Sequence, residues 1–451
     1  MNKKEIIDKI RQSGHQKIKF AISDIDGVLR SKVISREKFT DVLEQGTGFC
    51  DVLFGWDVND ACYDNTRFTG WHTGYPDRKA IIDPETFRTI PWEKDIPYFL
   101  ADFSREDNRE VPCPRSLLKK IAGKAGEMGF RAVFAQEFEW YNFSGTPDQL
   151  AANGYRELNP ITPGMFGYSQ LRTSQFQDYY QNLFDLLEKF RIPLESFHTE
   201  TGPGVYEAAI AHDEVLAAAD KAVLFKAAVK EIAFIHGIAA SFMAKWDARL
   251  PGSGGHLHQS LCSQDNGENL FQTGNSRATL SPVLENYLAG QLFCLREILP
   301  MYAPTINSYK RLQLGAWAPS SVSWGHDNRT TAIRLIGKAK QPARLEMRVP
   351  GADCNPYLAM AAALASGLYG IRNRLKLNIP ESTGDDYSQT GRTLLPSSLE
   401  EATRLMRHSA LARELFGESF TEHFVQTREW ECREFARTVS NWELKRYFEI
   451  I

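Results

Sequence analysis

The run FRAVFAQEFEWYNF (130–143) sets Glu137 and Glu139 two residues apart inside an aromatic, strand-like stretch. At a period of two, both carboxylates leave one face while Phe134, Phe138 and Trp140 line the other. In ESFHTETGPGVYEAAI (195–210), His198 and Glu200 share a parity, and a Gly-Pro-Gly turn delivers Glu207. GSGGHLHQSL (252–261) puts His256 and His258 on one side of a short strand, after a glycine loop. ARLEMRV (343–349) places Arg344, Glu346 and Arg348 on one face, backed by Leu345, Met347 and Val349.

Any one of these faces reads most simply as the solvated side of an amphipathic strand. Convergence changes that. Several carboxylates brought together without neutralisation cost on the order of several kcal/mol in repulsion and desolvation. Divalent cations remove the cost, and a carboxylate-rich set with one histidine suits Mg²⁺ or Mn²⁺ better than zinc or copper. His-x-His alone does not define a zinc site, and the chain has no HExxH or paired C-x-x-C. The arginines call for an anion beside the cations, which is the equipment of phosphoryl transfer. No P-loop, kinase glycine loop or dinucleotide fingerprint is present, so a nucleotide must be held some other way.

A further stretch, NSYKRLQLGAWAPSSVSWGHDNR (307–329), mixes Lys310, Arg311 and Arg329 with Tyr309, Trp317 and Trp324. Cations alone would suggest an anion site, and aromatics alone a core. Tyr309 and Trp324 read as scaffold.

The elements that must hold these residues are those of an α+β protein. KIKFAISDIDGVLRSKVI (17–34) carries the alternation and Asp26-Gly27 turn of a β-hairpin, and 46–104 shows no long helical period. The character shifts at Val111-Pro112-Cys113-Pro114, after which 115–129 reads as a helix stopped at Gly129. Further helices are expected over 213–237, 281–298 and 356–373, and an exposed loop over 379–397. Asn355-Pro356 caps the last of these helices, whose Ala-rich run is too short for a membrane span. A small, mostly β domain over 1–110 and a larger α+β domain over 111–451 are the economical division.

A net charge of −3 gives no basic excess, so nucleic acid and anionic membranes are not expected partners. Seven scattered cysteines without a C-x-x-C pair, and an N-terminus lacking a signal peptide's apolar core, point to the cytoplasm.

Taken together, SDIDGVLRSK, QEFEW, HTETGPGVYE, GSGGHLHQSL, NSYKRL, DNRTTAIR and RLEMRVPGADCNPYLA resemble the glutamine synthetase family, in its order and spacing. The resemblance implies a β-grasp-like N-terminal domain and a catalytic domain of curved antiparallel sheet with helices. It also implies a ring-shaped homo-oligomer, a dodecamer or other stacked rings, with active sites between subunits. Position by position, Glu139, Glu200 and Glu207 match the ligands of the metal beside the acceptor carboxylate. Glu137, His256 and Glu346 match those of the metal serving ATP, with two or three Mg²⁺ or Mn²⁺ ions per site. Arg329 and Arg334 match nucleotide-phosphate arginines, and His258 and Ser260 lie at nucleotide positions. Arg311 and Arg348 match glutamate-holding arginines, for which a guanidinium fork suits a carboxylate. Gly252 matches a backbone position of the glutamate pocket. Arg329, Arg348 and Glu346 would serve the chemistry itself, in which L-glutamate attacks ATP to give γ-glutamyl phosphate and an amine displaces phosphate.

The chain departs from the ammonia-using members at three places. Their loop glutamate, in a pattern like PG-aromatic-E-AP, is replaced in LGAWAP by Trp317. The N-terminal DGSS aspartate has no clear counterpart, leaving Asp51, Asp57 and Asp60 as candidates. Pro251 stands where an asparagine is frequent. An indole offers an alkylamine apolar surface and a cation–π contact of roughly 0.5–2 kcal/mol. Trp317 therefore resembles the γ-glutamylpolyamine and γ-glutamyl-monoamine synthetase branch, with a polyamine, monoamine or amino alcohol as acceptor. The alternatives are an ammonia-using glutamine synthetase and a non-catalytic ring-forming homologue. The tyrosine adenylylated in some bacterial members has no counterpart, Thr393 falling near its place, so that control is not expected.

Overall fold

A computed structural model describes residues 3–104, 110–273, 279–338 and 341–451. Among them the strands form two sheets. The first contains β1 (Lys17–Ser23), β2 (Leu29–Ser35), β3 (Thr47–Cys50), β4 (Asp77–Ile82), β5 (Arg88–Ile90) and β6 (Ile96–Phe103). Its order is β2-β1-β6-β4-β3, with β5 on β6 and a parallel β1–β6 pair at its centre. The expected hairpin is there, Lys17 opposite Ser35 through Ser23 opposite Leu29. The sequence reading missed two amphipathic helices of this region, Lys3–Gln12 and Arg36–Gln45, which cover the sheet with Ile6, Ile10, Phe39, Val42 and Leu43.

The second sheet runs β13-β14-β15-β12-β7-β9-β8. Its strands are β7 (Phe130–Ser144), β8 (Leu194–Thr199), β9 (Val205–Ile210), β10 (Asp213–Glu214), β11 (Ile238–Ser241), β12 (Gly255–Ser263), β13 (Trp324–His326), β14 (Ile333–Ile336) and β15 (Arg344–Met347). All its pairs are antiparallel except β13–β14. β7 alternates as its sequence demands: Phe134, Phe138 and Trp140 are buried, and the rings of Phe138 and Trp140 pack on Phe225 and Phe242. Stacked behind are the expected helices, observed as Val215–Ile235, Pro282–Cys294 and Pro356–Arg372. The last is buried along most of its length. It lies so close to its neighbour that a Cβ at Gly370 would meet the Asn286 carbonyl at 2.0 Å.

Among the contacts that join the first sheet to this helical layer, two stand out for their burial. Asn355, the N-cap of Pro356–Arg372, donates to the carbonyls of Asp24 and Ile25 in the hairpin turn at 3.2 and 3.1 Å. Arg115 bonds Asp102 and Asp220 at 2.8–2.9 Å, all three buried, and pairs with the partly buried Asp83 at 2.9 Å. The segment 379–397 is the largely exposed loop expected of it, apart from a few positions that turn inward. Ser382 and Asp386 are buried there, with Asp386 accepting from Ser321 and Ser382 at 2.7 Å. No described helix is long and apolar enough to cross a membrane.

His423, on the C-terminal helix Glu418–Ala436, is buried with no hydrogen-bond partner for either ring nitrogen, edge-on to Phe54 and Phe68. Burial, and then the charge of Arg428, push its pKa from 6.5 down to about 3. The unfolded chain therefore binds a proton here that the folded chain refuses, and stability falls as pH drops from about 6.5 toward 3. Between pH 7.5 and 5.5 this amounts to about 1.4 kcal/mol. His423→Leu should accordingly narrow the gap between thermal midpoints at those two pH values; an unchanged gap contradicts the assignment.

Candidate active site

Cross-strand register assembles the charged residues on one face of the second sheet. His256 lies opposite Glu137 across β12–β7, and Glu139 opposite Glu207 across β7–β9. His198 faces Glu207 across β8–β9, while Glu346 faces both His258 and Arg334 from β15. Directly opposed side chains sit about 5 Å apart, close enough for like charges to destabilise a sheet.

Two groups result. In the first, His256 Nδ1 stands 3.2 Å from Glu137 and 3.5 Å from Glu346, with His258 Nε2 3.6 Å from Glu137. Potential ligand atoms of Glu137, His256 and Glu346 all lie within 4.8 Å of one another. In the second, atoms of His198, Glu200 and Glu207 meet the same limit, and His198 Nε2 is 3.3 Å from Glu207. Glu139 belongs to neither group; it accepts from the Gly254 amide at 2.9 Å. A Cβ at Gly254 would fall 2.6 Å from His256 and 2.8 Å from Glu139, so any other residue there would displace one of these two side chains.

The electrostatics differ between the groups. Burial opposes ionisation of Glu346, but Arg348 and the histidines overcome it and hold its pKa down to about 2. Glu137 is likewise held well below the usual carboxylate range by His256 and His258, against the effect of burial. Glu207 goes the other way: burial, and the charges of Glu137 and Glu139, push it up to about 7 despite His198. A cation at the second group would cancel this crowding, and its donors, two carboxylates and an imidazole, fit a divalent metal.

The cations flank these groups. Arg348 bonds Glu346 and reaches the carbonyls of Arg329 at 3.1 Å and Trp317 at 3.5 Å. Arg334 donates to Glu346 at 2.9 Å. Arg311 is buried and lies 3.3 Å from His256; its hydrogen bonds to protein oxygen go to the carbonyls of Val349 and Arg348, not to a carboxylate. Burial lowers its pKa, the Glu139 charge offsets this only in part, and a carboxylate ligand would add the direct partner that the protein does not bond to it. Gly252 lets that side chain pass, because a Cβ would stand 2.8 Å from Arg311 Cγ. Arg329 is exposed at the edge of the site, His258 accepts from Arg344 at 3.3 Å, and Ser260 donates to the Ala343 carbonyl at 3.3 Å. Trp317 is 65% exposed on its loop, in left-handed backbone at φ 55°. Tyr309 and Trp324 are buried, as scaffold should be.

Some expectations meet a different arrangement. Asp51 is fully buried and bonds Thr69 and Arg78; Asp57 accepts from Trp430; Asp60 pairs with Arg30. All three N-terminal candidates thus already carry protein donors. His198, given no role from the resemblance, lies in the second group, and its parity with Glu200 was the available signal. Tyr168 had no signal: it sits on an irregular loop at φ 55°, its ring 4.5 Å from that of His198.

Residues 111–447 match the family model described as the glutamine synthetase catalytic domain. The chain belongs to the glutamine synthetase family. It is 49% identical to "Type-1 glutamine synthetase 2" of Dictyostelium discoideum, over 99% of this chain and 86% of that one. It is 40% identical to "Glutamate--isopropylamine ligase" of a Pseudomonas species, over 100% and 99% of the two chains. A solved structure titled "GmaS/ADP complex-Conformation 1" superposes with a TM-score of 0.85 at 26% identity, covering 98% of this chain and 99% of that one.

Proposed function

We propose that the chain is an ATP-dependent ligase that joins the side-chain carboxyl of L-glutamate to an organic amine. Trp317 carries the reading: it stands on the loop above Arg348, where ammonia-using relatives are expected to carry a glutamate. Arg311 and Arg348 hold glutamate against the Gly252 wall, and Arg329, Arg334, His258 and Ser260 hold ATP. Glu137, His256 and Glu346 would hold one Mg²⁺ or Mn²⁺, and Glu139, Glu200 and Glu207, with His198 beside them, one or two more. Bound there, such ions supply charge neutralisation for the transferring phosphoryl group.

The glutamate carboxylate oxygen attacks the γ-phosphorus of ATP, forming γ-glutamyl phosphate and releasing ADP. The amine nitrogen then attacks the acyl carbon, and phosphate leaves with that oxygen. Arg329 and Arg348 offer guanidinium charge to the developing anion. The enzyme works in the cytoplasm as a ring-shaped homo-oligomer whose active sites lie between one subunit's catalytic domain and its neighbour's N-terminal domain; the exposed Trp442, Phe448, Ile450 and Ile451 at the C-terminus support burial against another copy.

The name of the Dictyostelium relative favours a second reading, synthesis of glutamine from ammonium. Phosphate release with glutamate and ATP, measured across ammonium and primary amines, separates the two. An amine should give the highest kcat/KM; ammonium exceeding every amine rejects the proposal.

A further inference from the structure

Between Phe54 and Asp77 the N-terminal domain forms no helix or strand. The shape of that stretch is set by what it packs against, and much of it packs on a helix of the other domain, Glu418–Ala436. His423, Gln426 and Trp430 stand three and four residues apart, on one face of that helix. Phe54 and Phe68 lie edge-on to His423, and Tyr63 lies edge-on to Trp430 with ring centres 5.6 Å apart. Gln426 accepts twice, from the Asn65 side chain at its carbonyl (2.8 Å) and from the Arg67 amide at its side-chain oxygen (3.2 Å). Trp430 Nε1 donates to Asp57 Oδ2 at 3.1 Å. The other oxygen of Asp57 accepts the amides of Asn59 and Ala61 at 2.8 and 3.0 Å, which curls 58–61 into an exposed tip. The indole therefore holds the tip through one carboxylate.

The opposite side of the helix is fastened as well. Arg428, two residues from both Gln426 and Trp430, is buried and donates to the Pro304 carbonyl at 2.8 Å and to Asp26 in the hairpin turn at 2.7 Å. Pro304 leads into Thr305 and Ser308, which donate to the Asp353 carboxylate at 2.8 and 2.5 Å. Ser308 opens the short helix Ser308–Arg311, which carries the arginine assigned to glutamate. Bonds to a charged partner in a buried setting are strong and directional, so the helix has little play against either neighbour. The N-terminal stretch and Arg311 are thus located from one base.

We infer that Trp430 and Gln426 are positioning residues for the amine site of the neighbouring subunit: the helix Glu418–Ala436 sets where segment 51–68 of its own chain reaches across the ring. The three N-terminal aspartates that the sequence offers for that site, Asp51, Asp57 and Asp60, all lie on this segment. The inference rests on the amine-ligase reading and on the ring in which N-terminal domains complete neighbouring sites. It adds that the fixing comes from the C-terminal part of the donor chain, so a change there is felt in the next subunit.

Trp430→Phe removes the N–H donor and keeps an aromatic ring. With n-pentylamine as acceptor, its amine KM should rise by about fivefold or more, while the KM for glutamate stays unchanged. Asp57→Asn breaks the same bond from its other end and should do the same, and it carries the test where Trp430→Phe fails to fold. Co-expression of either variant with a Glu346→Gln chain, under separate affinity tags, then gives mixed rings. In them a Trp430→Phe catalytic domain meets the intact N-terminal segment of a Glu346→Gln subunit, and those sites should recover the wild-type amine KM. A Trp430→Phe protein with the wild-type amine KM overturns the inference. So do mixed rings in which every working site keeps the raised KM, because the helix would then act on its own subunit's site. Two tagged chains that never co-purify overturn it too. Ammonium outrunning every amine in the wild type is a different failure, since it removes the amine reading underneath.

Discussion

Glu346→Ala should abolish turnover and destabilise the protein. Glu346 is 1% exposed and meets Arg334, Arg348 and His256 at once. Truncation leaves two guanidinium groups without their shared carboxylate, a loss of about 3–5 kcal/mol for a buried pair broken on one side. It also removes one of three ligand atoms from the first group, and with it the alignment of Arg348. The expected fall in kcat is about 10²–10³-fold or more. Glu346→Gln separates the two effects, because the amide keeps the shape and one acceptor while losing the charge. Phosphate-release rates and thermal midpoints for both variants check this. A Glu346→Gln protein with wild-type kcat would show that the carboxylate serves only the fold.

Trp317→Glu should move the acceptor preference toward ammonium. The loop backbone is already left-handed at this residue, so the substitution adds no new backbone strain. What changes is the surface offered to the nucleophile: an indole that contacts alkyl carbon and cation gives way to a carboxylate that pairs with ammonium. The cation–π share alone, about 0.5–2 kcal/mol, corresponds to roughly 2- to 30-fold. The kcat/KM for alkylamines should fall by about that factor, while that for ammonium rises. Equal losses for both nucleophiles would mean that Trp317 only packs the loop.

Much of this site is legible in the sequence because it is built on strands. Period-two alternation assigns Glu137 and Glu139 to one face of β7 and Arg344, Glu346 and Arg348 to one face of a second segment. Once each strand's face is known, pairing decides which charges meet. Pairing is long-range, so the sequence does not announce that Glu139 stands opposite Glu207, or that His198 joins Glu200 and Glu207. Residues on loops are the harder part. Tyr168 and the N-terminal aspartates have positions set by tertiary contacts such as Thr69 with Asp51 and Trp430 with Asp57, which leave no periodic trace. The helices Lys3–Gln12 and Arg36–Gln45 were hidden for a different reason: each is ten residues long and takes its stability from packing on the sheet. Buried Ser382 and Asp386 show the converse, two residues of a polar and largely exposed loop drawn inward by hydrogen bonds.

The central claim is that glutamate is activated at its side-chain carboxyl and captured by an amine. Glutamate labelled with ¹⁸O in that carboxyl, incubated with ATP, Mg²⁺ and equal concentrations of ammonium and n-pentylamine, tests it directly by mass spectrometry. The account predicts one labelled oxygen in the released phosphate and γ-glutamyl-pentylamide as the main product. Unlabelled phosphate, or glutamine as the main product, would contradict it.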